Sequence, residues 1–103
     1  MVDQTTVFTK LLAEYINALS DRKRFAGLVR DFMPGQFLQT NLLIMLYDIN
    51  FHEEIEKTAQ ITKNFAYRFV KRLCDEYGVS ESNANWAVEL WCVCYGENIL
   101  NKV

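Results

Sequence analysis

Glycine and proline are scarce in this chain, with four glycines and one proline among 103 residues. So little punctuation excludes a meander of short strands and tight turns, and it favours helices with brief connections. No glycine falls in a G-x-G-x-x-G or P-loop pattern, so phosphate cradles of those kinds are excluded. Histidine occurs once, as His52, and cysteine three times, as Cys74, Cys92 and Cys94. An odd cysteine count does not close a disulfide framework. Cys92 and Cys94 also lie too close, and on different faces of a helix, to bridge. A reducing, cytoplasmic setting follows as the expectation. A dominant charge is lacking as well: 11 cations and 13 anions leave a net charge of −2. That balance attracts the chain as a whole to neither nucleic acid nor an anionic membrane. No apolar run approaches the roughly 20 residues of a membrane span. Asp3, Lys10 and Glu14 interrupt the first apolar pattern, so no signal peptide is expected.

What is present is a large apolar complement. Half the residues are hydrophobic and 14% are aromatic, which excludes a disordered chain and supplies one modest core. The expected fold is all-α, a compact antiparallel bundle of five to six helices spanning residues 1–103 as a single helical interaction domain. Phe8, Leu11, Leu12, Tyr15, Ile16 and Leu19 repeat at i, i+3, i+4, i+7, i+8 and i+11, which predicts a helix from Gln4 to Leu19. Ser20 or Asp21 caps a second helix with Phe25, Leu28, Val29 and Phe32 inward, and Pro34-Gly35 stops it. A third helix, from Gln36 to Asp48, is apolar almost all round through Phe37, Leu38 and the run Leu42 to Tyr47, as a central core helix is. A short acidic segment follows from His52 to Thr58.

Thr62 is placed to cap a fifth helix whose inner face is Phe65, Ala66, Phe69, Val70, Leu73, Cys74 and Tyr77. Gly78 suits its left-handed end. Ser80 or Ser82 caps a sixth helix that continues to Tyr95, with Gly96 ending it and Ile99 and Leu100 packing back as a tail.

The sixth helix is the most informative segment. It carries both tryptophans, and Asn85, Glu89 and Cys92 fall at i, i+4 and i+7 as one narrow polar stripe. Trp86, Leu90 and Val93 follow one apolar ridge; Ala84, Ala87, Val88, Trp91 and Tyr95 follow another. Such a helix is either the central post of the bundle or a post with one ridge offered to a partner. Tryptophan is enriched at binding hot spots, so the exposure of Trp86 or Trp91 discriminates the two.

No residue set names a reaction. Cys92-x-Cys94 leaves one intervening residue where zinc sites leave two to four, and the two side chains diverge by about 200 degrees on a helix. His52, beside Glu53 and Glu54, reads as an exposed side chain in a surface segment. Cys74 follows Lys71 and Arg72 but lies on an apolar face, as an inert packed thiol does. Glu89, between the two tryptophans, is better suited to an ion pair or to solvent than to acid–base work. No catalytic residue, no metal and no cofactor are therefore expected.

Charge is unevenly distributed. Arg22, Lys23, Arg24 and Arg30 cluster around the second helix; Lys63, Arg68, Lys71 and Arg72 lie on the outer side of the fifth. Asp48, Glu53, Glu54 and Glu56 gather where the third helix meets the fourth segment. If the basic and acidic patches occupy different faces, copies can stack head to tail, a contact that does not close on itself. A basic stripe also admits nucleic acid as a third reading, although Asp75 and Glu76 and the slight acidity of the chain oppose it.

The stretch from Phe69 to Ser80 (FVKRLCDEYGVS), followed by Ala84 to Trp91 (ANWAVELW), resembles a small helical module of bacterial multidomain signalling and conflict-system proteins. That module reads as a leucine-rich helix, a Tyr-Gly-hydrophobic turn, then A-x-W-A-V-E-x-W and a final glycine. Six short helices are also similar to the death-fold-like, effector-associated adaptor domains of bacterial antiphage systems. The resemblance implies homotypic or adaptor contacts without catalysis, and it transfers no functional residue to a position here. The resulting expectation is a non-catalytic adaptor for self-assembly or effector recruitment. The alternative is a stand-alone phage or mobile-element inhibitor that binds a host complex. The residues singled out for interaction are Arg22, Lys23, Arg24, Arg30, Asp48, Glu53, Glu54, Glu56, Trp86 and Glu89. The partner expected is a protein or a second copy, with no small-molecule substrate and no membrane.

Overall fold

The structure, a computed structural model, describes residues 4–58 and 60–96. It is all-helical, without strands among those residues. The α-helices are α1 (Gln4–Glu14), α2 (Arg22–Phe32), α3 (Phe37–Asp48), α4 (Phe51–Lys57), α5 (Lys63–Tyr77) and α6 (Glu81–Trp91). A 3-10 turn, Ile16–Ser20, separates α1 from α2, and a π-helical turn, Cys92–Gly96, follows α6. The tail expected from Ile99 and Leu100 lies outside the described residues.

Local chemistry sets the helix ends. Asp21, rather than Ser20, caps α2 by accepting from the backbone N–H groups of Lys23 and Arg24. Thr62 caps α5 by accepting from Phe65 N–H at 3.1 Å. Ser80, rather than Ser82, caps α6 by accepting from Asn83 N–H at 3.3 Å. Thr62 and Ser80 each satisfy one of the orphan donors that every helix start presents, and Asp21 satisfies two. Gly78 ends α5 in the left-handed region at φ 67°, where it returns its N–H to Leu73. Asn50 takes the same conformation between α3 and α4 at φ 63°, which asparagine tolerates better than most residues.

Two helices are shorter than their periodicity predicts. The first stripe does not continue to Leu19: the chain leaves α-geometry at Tyr15, and Ala18 N–H bonds back to Tyr15 O in the 3-10 turn. This turns Ala18 into the core and leaves Ile16 outward. It also presents the Leu19 carbonyl to the Tyr47 hydroxyl at 2.6 Å. The sixth helix loses α-geometry after Trp91, where the π turn keeps Cys94, Tyr95 and Gly96 buried.

One contiguous apolar cluster runs through all six helices. Trp91 is its hub, with no solvent exposure. Its indole Nε1–H donates to Leu43 O at 3.1 Å. Phe8 meets it edge-on at 5.0 Å, Phe25 at 5.7 Å and Tyr95 at 5.8 Å. Such edge-on and tilted pairs add to the burial itself. A second group, Phe51, Phe65 and Phe69, ties α4 to α5. The central-post reading of α6 is thereby met at Trp91, while Trp86 is only half-buried and Asn85 and Glu89 face water.

Helix α3 is the exception to its own pattern. Its middle is buried, but its first turn is not: Phe37 is 76% exposed and Leu38 54% exposed. Both were expected in the core. Asn41 is exposed and Met45 half-buried on the same side. An outer face therefore remains along a helix whose composition suggests none.

Candidate functional site

An open groove of about 670 Å³ lies between α5 and α6. Ile61 and Thr62, the latter the α5 cap itself, line it where the chain enters α5. Lys63, Asn64, Ala66, Tyr67 and Val70 form the α5 wall, and Asn85, Val88, Glu89 and Cys92 form the other. The α6 wall contains the whole polar stripe read from the sequence. The floor is apolar, through Ile61, Ala66, Val70 and Val88, and the rim is polar. Lys63 and Glu89 place opposite charges on opposing walls, both exposed. Tyr67 is 58% exposed beside them. A smaller hollow of about 190 Å³, lined by Thr5, Trp86, Glu89, Leu90 and Val93, lies on the other side of Glu89. Glu89 is thus the ridge between two depressions.

The Cys92 thiol lies in the groove, but burial, reinforced by the Glu89 charge, pushes it up to about 11. At neutral pH it stays protonated, which makes it a poor nucleophile. Cys94 is buried and donates its S–H to Thr5 O at 3.4 Å. Among the described residues, no three of His, Cys, Asp and Glu gather as a metal site would require.

The expected charged residues are distributed as follows. Arg22, Lys23, Arg24 and Arg30 are all exposed on α2. Arg22 grips Asp48 with two bonds, Nε to Oδ1 at 2.6 Å and Nη2 to Oδ2 at 2.9 Å. The basic start of α2 and the acidic end of α3 therefore adjoin within one molecule at this point, instead of standing apart for a neighbour. Glu53 and Glu54 are exposed on α4. Glu56 accepts a hydrogen bond from the Tyr95 hydroxyl, which ties α4 to the π turn. On α5, Arg72 is paired with Glu76 at 2.7 Å, and Arg68 lies over the Phe65 ring.

His52 departs from its expected exposed position. It is buried, on the same side of α4 as Phe51 and Ile55. Its ring lies flat on Tyr47 at 4.7 Å and near Trp91 at 6.1 Å, and its Nδ1 has no hydrogen-bond partner among the described residues. Acidic neighbours in sequence suggested a solvated segment, but packing of the short helix on α3 decided otherwise. Burial lowers the His52 pKa below 6.5, with Glu53 and Glu56 opposing.

A stability consequence follows. As pH falls through 6.5, the unfolded chain takes a proton at this position before the folded one does, so folding stability declines with falling pH. Above that window the histidine contributes no slope. The urea midpoint measured from pH 8 to 5 should therefore drop below pH 6.5, and His52→Phe should flatten that part of the curve. Identical slopes for both proteins would remove His52 as the cause.

Tyr67, Lys63 and Asn64 were not singled out as site residues. Their signal was available: an aromatic residue on the polar face of an otherwise clean amphipathic helix, four positions after a lysine. Phe37 and Leu38 carried no such signal, because their neighbours in sequence are also apolar.

No protein-family model matches the chain, and the comparisons with curated proteins and with solved structures returned no match.

Proposed function

We propose that this chain is a non-catalytic protein-interaction module, a death-fold-like adaptor that assembles with itself or recruits an effector in a bacterial defence or signalling system. The α5–α6 groove supports this reading. It pairs an apolar floor with a polar rim and an exposed tyrosine, the composition that binding hot spots favour. The half-buried Trp86 in the adjoining hollow extends the same surface. The direct Arg22–Asp48 pair weighs against nucleic acid, since it spends one of the clustered cations within the molecule. No helix among the described residues is long and apolar enough to cross a membrane.

Two exposed positions test the reading. Tyr67→Asp and Glu89→Arg should leave the circular-dichroism spectrum and thermal midpoint unchanged, as surface changes usually do. Both should abolish association, measured by light scattering over a concentration and salt series and by cross-linked partners in cells. A wild-type chain that stays monomeric throughout and holds no other protein would sink the proposal.

A further inference from the structure

We propose that α4 is an acid-released flap: protonation of His52 on its buried side lets this short helix leave the bundle while the other helices stay packed.

His52 is only 7% exposed. Its ring lies flat on Tyr47, which in turn stacks on Phe25 at 4.6 Å. A neutral imidazole fits such a place, because one of its ring nitrogens carries no proton. Nδ1 can be that nitrogen: it is buried and has no partner among the described residues. The imidazolium must carry an N–H there, and a buried donor without an acceptor is costly. An outward swing of α4 gives that N–H to water. Acid therefore favours the open position.

The neighbours reduce this preference without reversing it. On α4, the exposed Glu53 and Glu56 favour the cation, but burial outweighs both. Glu56 already accepts from the Tyr95 hydroxyl of the π turn. From α3 comes Tyr47, whose hydroxyl donates to Leu19 O. From α6 comes Trp91, whose Nε1–H donates to Leu43 O. Asp21, Asp48 and Arg22 act on the Tyr47 end of the stack, and the last two are paired with each other. The Tyr47 ring face attracts a cation and gives back part of the cost.

The construction of α4 makes it the part that moves. It has seven residues, below the roughly 12–15 at which an isolated helix begins to hold itself. No side chain caps its start; Asn50 at φ 63° and the extended Thr58 bound it. No ion pair among the described residues holds it. Its ties are the buried Phe51, His52 and Ile55 and the Glu56–Tyr95 bond. Segments with so few ties open before the rest of a domain. Release takes Ile55 away from Gly96, against which Ile61 also lies, so the groove is loosened where Ile61 lines it.

The test follows amide exchange and the His52 ring by NMR on the full chain from pH 8 to 5.5. His52 is the only histidine, so its ring signals are unambiguous, and their midpoint should lie below 6.5. The N–H groups of Glu54 and Thr58 bond to Asn50 O and Glu54 O. Their protection, corrected for intrinsic exchange, should fall by about tenfold per pH unit below 6.5, as one proton dictates. It should not respond to low urea. Amides of Leu46 and Val88, in the packed helices α3 and α6, should be better protected and should lose protection as urea rises, because they exchange through global unfolding. His52→Phe and His52→Gln should each make α4 opening independent of pH. Tyr95→Phe should raise the opening about fivefold at every pH and keep its slope.

A His52 midpoint at or above 6.5 overturns the inference. So does α4 exchange that is flat with pH, or that shares the urea response of Leu46 and Val88. A slope that survives in His52→Phe belongs to another group and overturns it as well.

Discussion

Trp91→Ala is expected to destabilise the fold by about 3–5 kcal/mol, the range for deleting a fully buried large aromatic. Three separate losses contribute. The indole has no solvent exposure, so its removal opens a cavity at the hub of the core. Its edge-on and tilted contacts with Phe8, Phe25 and Tyr95 disappear. The Leu43 carbonyl loses the second hydrogen bond that Trp91 Nε1–H gives it at 3.1 Å, worth about 1 kcal/mol because the carbonyl keeps its helical bond within α3. A single domain has only about 5–15 kcal/mol in total, so the variant will be partly unfolded under mild conditions. Urea unfolding followed by far-ultraviolet circular dichroism measures this, since tryptophan fluorescence would report Trp86 alone. Trp86→Ala, at a half-buried position, should cost clearly less. Equal losses at the two positions would contradict the assignment of Trp91 as the hub.

The second large effect is expected at Gly96. This residue ends the π turn in a buried position, and a side chain added there would run into Cδ1 of Ile61, with Ile55 Cγ2 at 3.5 Å. Overpacking of this kind costs about 1–3 kcal/mol. Gly96→Val should fall in that range, measured by the same urea titration. The obstructing atom is the far end of a flexible side chain, so Ile61 can swing aside at reduced cost. Because Ile61 lines the groove, that swing changes the floor. Gly96→Ala should therefore weaken association as well as stability, and Gly96→Ala combined with Ile61→Ala should recover part of the stability. Strict additivity of the two single changes would show that the contact carries no coupling.

These two residues bear differently on the sequence reading. Trp91 lies on an apolar ridge at helical spacing, so its burial was legible from pattern. Gly96 was legible only as a helix end; the close approach of Ile61, from a distant connection, has no local sequence signature. The same division holds across the chain. The caps at Thr62 and Ser80 and the left-handed stop at Gly78 depend on hydrogen bonds within a few residues. Thr62 and Gly78 can be read from the residues themselves, while Ser80 was one of two candidates with Ser82. The polar stripe of α6 was also correct at Asn85 and Glu89, since a helix interrupted by polar residues on one side must turn that side to water.

The composition and periodicity of this chain were sufficient for an all-helical fold of five to six helices, for the cap at Thr62 and the stop at Gly78, and for the inward faces of most of the helices. Those features follow from local backbone satisfaction and a 3.6-residue repeat. Which apolar side chains remain outside, and which polar one goes inside, depended on how the helices cover one another. Phe37 and Leu38 lie beyond the reach of their neighbours, while His52 is pressed between Tyr47 and Trp91. The groove between α5 and α6 likewise exists only once two helices are set side by side. No single segment encodes it, because a concavity belongs to the pair and not to either wall.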